Sequence, residues 1–192
     1  MEAIEKTLNF IVEIEQLKDV YRKTRPVGLD RFENSAEHSW HVCLAALMLK
    51  DFANEAVDIH RVIKMLLIHD LGEIDAGDTI IYASETSDNK AKEAAGVRRL
   101  LQLLPAELAQ EFTALWQEFE AGETAEARFA KAIDRVPPLL HNLHGDGHSW
   151  KTHGVTADQV FSVNQRIAAG SEALWSVMRA RLEAAVRDGL LK

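Results

Sequence analysis

Cysteine is almost missing from this chain: among 192 residues only Cys43 carries a thiol. An internal disulfide and a cysteine-built zinc site are therefore both excluded. Cys43 lies in the apolar run Val42-Cys43-Leu44-Ala45-Ala46-Leu47, where a buried, inert thiol is expected. No apolar stretch approaches the roughly 18–20 residues that a bilayer-crossing helix needs. The N-terminal segment MEAIEKTLNFIVEIEQLKDVYRK mixes acidic with apolar residues, unlike a secretory or transit peptide. A cytoplasmic location without membrane contact is the expectation. Positive charge is also short, with 22 Lys and Arg against 30 Asp and Glu for a net −8. That balance disfavours a nucleic-acid polymer as partner. It leaves room for a small phosphorylated ligand, which one arginine or one metal ion can serve. Strand-type alternation, repeats, linkers and low-complexity tracts are absent as well.

What remains is helical periodicity and a 47% hydrophobic composition, enough for a core without metal or disulfide support. A metal in this chain would thus need a functional reason. Residues 3–19 place Ile4, Leu8, Ile11, Ile14 and Leu17 on one helical face, and the segment from Arg22 to Asn34, with Pro26 and Gly28, reads as a loop. Asn34 or Ser35 is positioned to cap a helix running to about Phe52, and Asp58 to cap another that contains Val62, Ile63, Leu66 and Leu67 and ends near Leu71-Gly72. Glu73 to Asn89 turns polar and predicts a long loop with at most one helical turn. Helices are predicted over 89–103, 105–120 (opening with Pro105 in its first position), 123–143 and 156–188, the last with a break at Gly170. Residues 144–154, HGDGHSWKTHG, read as a glycine- and histidine-rich loop. The fold class is all-α in a single domain.

The chemistry concentrates in Leu67-Ile68-His69-Asp70-Leu71-Gly72-Glu73, where an apolar helix ends in adjacent imidazole and carboxylate groups. An unpaired carboxylate there is costly to bury, so Asp70 needs a cation or a donor. Upstream, Arg31 to His38 sets another histidine at the start of an apolar helix; downstream, Phe129 to Arg135 buries Asp134 among apolar residues. Three helices thus each offer a ligand-type side chain.

This H…HD…D pattern resembles the HD superfamily of metal-dependent phosphohydrolases, over about residues 14–140. The resemblance implies an HD-type helical bundle with a C-terminal extension, and one divalent cation held by His38, His69, Asp70 and Asp134. Imidazole with carboxylate accepts Co, Mn, Zn, Fe or Ni, and Mg stays open. Members with two metals add histidines between the HD pair and the last aspartate; none lies between Asp70 and Asp134, so one catalytic metal is expected. The ENSAEHS segment (33–39) and HDLGEIDAGD (69–78) are most similar to the 5'-deoxynucleotidase subfamily, which hydrolyses deoxynucleoside monophosphates. That likeness implies catalytic roles for Glu73 and Asp78, phosphate binding by Arg22 (Arg25 or Lys23 as substitutes), a nucleoside monophosphate substrate and a homodimer. Lys23 departs from the tryptophan that bacterial members carry after that arginine, which puts selectivity for the deoxy sugar in doubt. Another small phosphorylated metabolite, or a non-catalytic metal-binding module, are the alternatives.

Other residues invite blander readings. His41, three residues after His38, is expected as a core or supporting histidine, and His60 as surface. His141, His144, His148 and His153 fit no zinc spacing and suggest a solvated lid or dimer-contact loop. Trp40, Trp116 and Trp175 are expected in the core or an interface, and Trp150 alone in a position to touch a ligand. Arg31 is expected to pair with Glu33 or to steer phosphate.

Overall fold

The computed structural model describes residues 1–82 and 87–192; Ser84 and Thr86 of the polar stretch lie outside the described residues. Among the described residues the architecture is all-α, and the sole β-type pairing is an isolated bridge between Tyr21 and Asn34. Also among these, no helix is long and apolar enough to cross a membrane.

The chain opens with α1 (Glu2–Glu13), tightens into a 3-10 segment (Ile14–Asp19), and crosses a loop to α2 (Ser35–Leu49). The expected continuous helix over 3–19 is therefore divided. Leu17 is buried, but Ile4, Leu8 and Ile11 are half-exposed or more. Asn34 is the cap of α2, in a capping box with Glu37, which satisfies two backbone donors at once. Asp58 caps α3 (Ile59–Ile68) by accepting from the His60 and Arg61 amides. Val62, Met65 and Leu66 of α3 are fully buried, whereas Leu67 is half-exposed. Each such burial stabilises by about 1.5–3 kcal/mol, and α3 packs between α2, α6 (Ala106–Ala121) and α7 (Ala125–Asp134). Pro105 precedes the first residue of α6 as its cap residue instead of occupying the first helical position.

After α3 the backbone passes through tight i→i+3 bonds, Leu71 N to Ile68 O and Glu73 N to Asp70 O, into the short α4 (Glu73–Ala76). Gly72 permits this turn to press on α5 (Ser87–Leu101), because a Cβ there would stand 2.5 Å from the Glu93 carbonyl oxygen.

The sequence pattern over 123–143 predicts one helix; the structure has two. Pro137 and Pro138 lack the N–H groups that would continue α7, so the chain turns at Arg135 and restarts as α8 (Val136–His144). The 144–154 segment is also not a solvated loop: it contains α9 (His148–His153), with Ser149 and Trp150 buried. Trp150 lies in a second core cluster with Leu139, Val160 and Leu182, away from any role as an exposed ligand contact. The C-terminal stretch is three helices, α10 (Ala157–Asn164), α11 (Ile167–Gly170) and α12 (Glu172–Arg187), with the expected break at Gly170. There the absent side chain matters, since a Cβ would meet the Arg128 carbonyl oxygen at 2.3 Å.

Candidate metal centre

Three elements deliver the central group. The capping box fixes the start of α2, and His38 follows in its first turn, fully buried. His69 is the residue on which α3 ends, and Asp134 is the last residue of α7 before the proline-imposed turn. His38, His69 and Asp134 each place one ligand atom within 4.8 Å of the others. His38 Nε2 is 2.9 Å and His69 Nε2 3.3 Å from Asp134 Oδ1, and His69 Nε2 is 3.1 Å from Asp70 Oδ1.

Proton positions decide what this group fits. His69 Nδ1 lies 2.8 Å from the Leu66 carbonyl oxygen, which can only accept, so Nδ1 carries the hydrogen. In the neutral ring Nε2 then presents a lone pair. It is buried, has no hydrogen-bond partner, and faces two carboxylates. Lone pairs converging in a buried place fit a cation. The local field agrees: burial pushes His69 down, yet Asp70 and Asp134 outweigh it and raise the imidazole to about 9. Asp134 moves oppositely, for burial pushes it up but its contacts to His38 and His69 hold it well below the usual carboxylate range. Without a metal a proton serves that position; with two imidazoles and two carboxylates the donor set suits a divalent transition ion.

Arg22 closes one side. Its Nη1 donates to Asp70 Oδ2 at 2.7 Å and stands 4.0 Å from Glu73 Oε1 and 3.9 Å from Asp78 Oδ1. Residues 69–72 form turns and not the helix continuation that would stack Glu73 over His69, but Glu73 still reaches the centre from the start of α4. It accepts from Ser35 Oγ at 2.6 Å. Burial first, and then Asp70, push the Glu73 carboxyl well above its ordinary value, against the pull of Arg22. Asp78 is raised too, chiefly by burial, and its Oδ2 has no partner. A cavity of about 60 Å³ opens beside the centre, lined by Arg22, Lys23, Asp78, Tyr82, Asp134 and Arg135 among others.

A family model described as HD domain matches residues 14–175. The chain belongs to the HD-domain family. Among its relatives, 5'-deoxynucleotidase HDDC2 of Homo sapiens is 29% identical over 135 residues, 69% of this chain and 65% of that protein. The Xenopus laevis protein of the same name is 31% identical over 143 residues, 71% of this chain and 67% of that one. The chain thus spans about two thirds of the length of the curated relatives it matches. The crystal structure of a predicted metal-dependent phosphohydrolase from Magnetospirillum magnetotacticum MS-1 superimposes with a TM-score of 0.94 at 48% identity, covering 100% of this chain and 99% of that one. A conserved hypothetical protein from Pyrococcus furiosus shares the fold, with a TM-score of 0.59 at 22% identity over 94% of this chain and 99% of that one.

Within this HD domain, some neighbours of the centre escape a reading of the sequence. Glu33 does not pair with Arg31, which instead forms a two-pronged contact with Glu37 at 2.5 and 2.8 Å. Glu33 is buried, with Oε2 3.4 Å from His38 Nδ1 and 3.6 Å from Arg22 Nε. It stands behind His38 on the side away from Asp134, where a carboxylate can orient an imidazole. Ser35, the donor to Glu73, was equally hidden. Their one sequence signal is membership of the ENSAEHS segment. Arg25 stacks over Phe32 and Trp40 is exposed, so neither reaches the centre.

Proposed function

We propose that this chain is a metal-dependent phosphomonoesterase that hydrolyses (deoxy)nucleoside 5'-monophosphates to nucleoside and phosphate. One observation carries the reading: the unpartnered His69 imidazole nitrogen faces Asp70 and Asp134, and beside them the buried Arg22 guanidinium, Asp78 and Asp134 line one cavity. His38, His69, Asp70 and Asp134 would hold the cation. A divalent ion there lowers the pKa of an adjacent water and neutralises charge on a phosphoryl oxygen. Arg22 exchanges its contact with Asp70 for two phosphate oxygens, through its planar fork. Asp78, with a free oxygen, takes a proton from the attacking water. Glu73, held protonated by burial and by Asp70, gives one to the departing 5'-oxygen.

A second reading, another small phosphate ester, is favoured by Lys23, which lines the cavity and stands where the bacterial members of the resembling subfamily carry tryptophan. We further propose a homodimer through α2, whose Trp40, Leu44, Leu47 and Met48 form an exposed apolar stripe at helical spacing.

The test is phosphate release from deoxynucleotides, ribonucleotides and sugar phosphates, using protein stripped by chelator and reloaded with Co²⁺ or Mn²⁺. Turnover of nucleoside 5'-monophosphates that needs added metal and vanishes in Asp70→Ala supports the proposal. Release from sugar phosphates alone favours the second reading. No turnover with any metal, in a folded protein, points to a non-catalytic module.

A further inference from the structure

Behind His38 lies a second convergence of ligand-type side chains, none of which takes part in a step of the proposed reaction. Glu33, His41 and His141 each place one ligand atom within 4.8 Å of the others. Glu33 is held there by its backbone: its amide donates to the Thr24 carbonyl at 3.0 Å and its carbonyl accepts from the Arg22 amide at 2.8 Å. Its Oε2 faces His38 and Arg22, which leaves Oε1 to look the other way, 3.8 Å from His141 Nε2. That separation is too long for a hydrogen bond. Two donors each about 2.0–2.1 Å from one tetrahedral ion stand roughly 3.4 Å apart, so a few tenths of an ångström would close the difference.

The protonation states agree with that use. His141 Nδ1 lies 3.3 Å from Thr24 Oγ1, to which it can donate, leaving Nε2 with a lone pair toward Glu33. This is how a supporting group sets the tautomer of a metal-bound histidine. Burial holds His141 below its ordinary 6.5, hence neutral at physiological pH, although Glu33 opposes the effect. His41, on α2, turns its ring toward His141, with centroids 6.1 Å apart. A groove of about 430 Å³, flanked by Trp40 and His144, opens onto the three side chains and gives an ion a way in.

We propose that Glu33, His41 and His141 form a second, non-catalytic site for a zinc-class divalent cation such as Zn²⁺, Co²⁺ or Ni²⁺. Two imidazoles with one carboxylate select these ions over Mg²⁺ and Ca²⁺, which prefer all-oxygen surroundings. The site stands independently of which ester, if any, the chain hydrolyses. It adjoins the first centre, because the carboxylate that faces His38 is the one that would hold the second ion.

The experiment is metal stoichiometry. Protein is stripped with a chelator, reloaded with Zn²⁺ or Co²⁺, desalted, and its metal content measured by mass spectrometry, with circular dichroism to verify folding. Two equivalents per chain are expected for the unaltered protein. One is expected for His41→Ala, for His141→Ala and for His69→Ala, the last emptying the first centre instead. His41 is only partly buried, so its variant folds even if the His141 variant does not. A single equivalent in the unaltered protein, or two retained in folded His41→Ala, overturns the proposal. Loss of hydrolysis with the stoichiometry unchanged would count against the proposed reaction and not against this site.

Discussion

Replacing Glu73 by glutamine removes a proton and leaves the shape. The amide oxygen still accepts from Ser35 Oγ, now at 2.6 Å, so α4 stays anchored to α2 and the fold is expected to persist. What disappears is the proposed acid. Positioned proton transfer is worth about 10²–10⁴-fold in rate, which corresponds to about 2.7–5.5 kcal/mol of barrier. Glu73 belongs in that range because it is buried and because burial and Asp70 keep its carboxyl protonated above the usual range. The assay compares two substrates with the same phosphate. A sugar 5'-oxygen leaves poorly without a proton, whereas 4-nitrophenolate leaves readily as the anion. Glu73→Gln should therefore lose activity of that order on a nucleoside 5'-monophosphate and little on 4-nitrophenyl phosphate. The pH profile carries the same sign: the protonated form is active, so kcat falls as pH rises through the raised Glu73 value, and the variant lacks that alkaline limb. An equal loss on both substrates would refute the acid role and point to Glu73 acting on the attacking water.

If Arg22 holds phosphate as proposed, Arg22→Met removes two charge-assisted hydrogen bonds at about 1.5–3 kcal/mol each, so kcat/KM is expected to drop by about 10²–10⁴-fold; an unchanged value in steady-state kinetics rejects the assignment. Gly170→Ala forces a Cβ to within 2.3 Å of the Arg128 carbonyl oxygen and 2.8 Å of Ala132 Cβ. Overpacking of this kind costs about 1–3 kcal/mol, or about 2–4 °C per kcal/mol in a chain of this size, to be read by thermal denaturation. Cys43, its thiol pushed up to about 11 by burial, resists iodoacetamide at pH 8 until denaturant is added; rapid labelling of the folded protein contradicts that burial. Met48→Glu in the exposed α2 stripe is expected to turn a dimer into a monomer by light scattering.

The parts of the fold that the sequence made legible are those governed by local rules. Asp58 and Asn34 are caps because short polar side chains satisfy amides two and three residues ahead, whatever surrounds them. The break at Gly170 and the burial of Cys43 were readable for similar reasons. Periodicity misled wherever partners decide. It grouped Ile4, Leu8 and Ile11 with Leu17 on one face, of which only Leu17 is buried, and carried 123–143 through two prolines as one helix. Trp150 looked free because its loop is rich in glycine, yet Gly147 and Gly154 merely bound a short helix that inserts the indole into the core. Around the centre, spacing and resemblance indicated His38, His69, Asp134 and Arg22, which the fold brings together. Glu33 was invisible as a partner of His38 because a carboxylate five residues before a histidine has no geometry until the loop folds back through the Tyr21–Asn34 bridge.

The turn at Arg135 has a further meaning. Asp134 faces His38 and His69 and also lines the adjoining cavity, whose wall continues through Arg135 and α8. The candidate metal centre and the cavity beside it thereby share one corner of backbone. Any shift of the backbone at this corner would therefore move Asp134 and the cavity wall together.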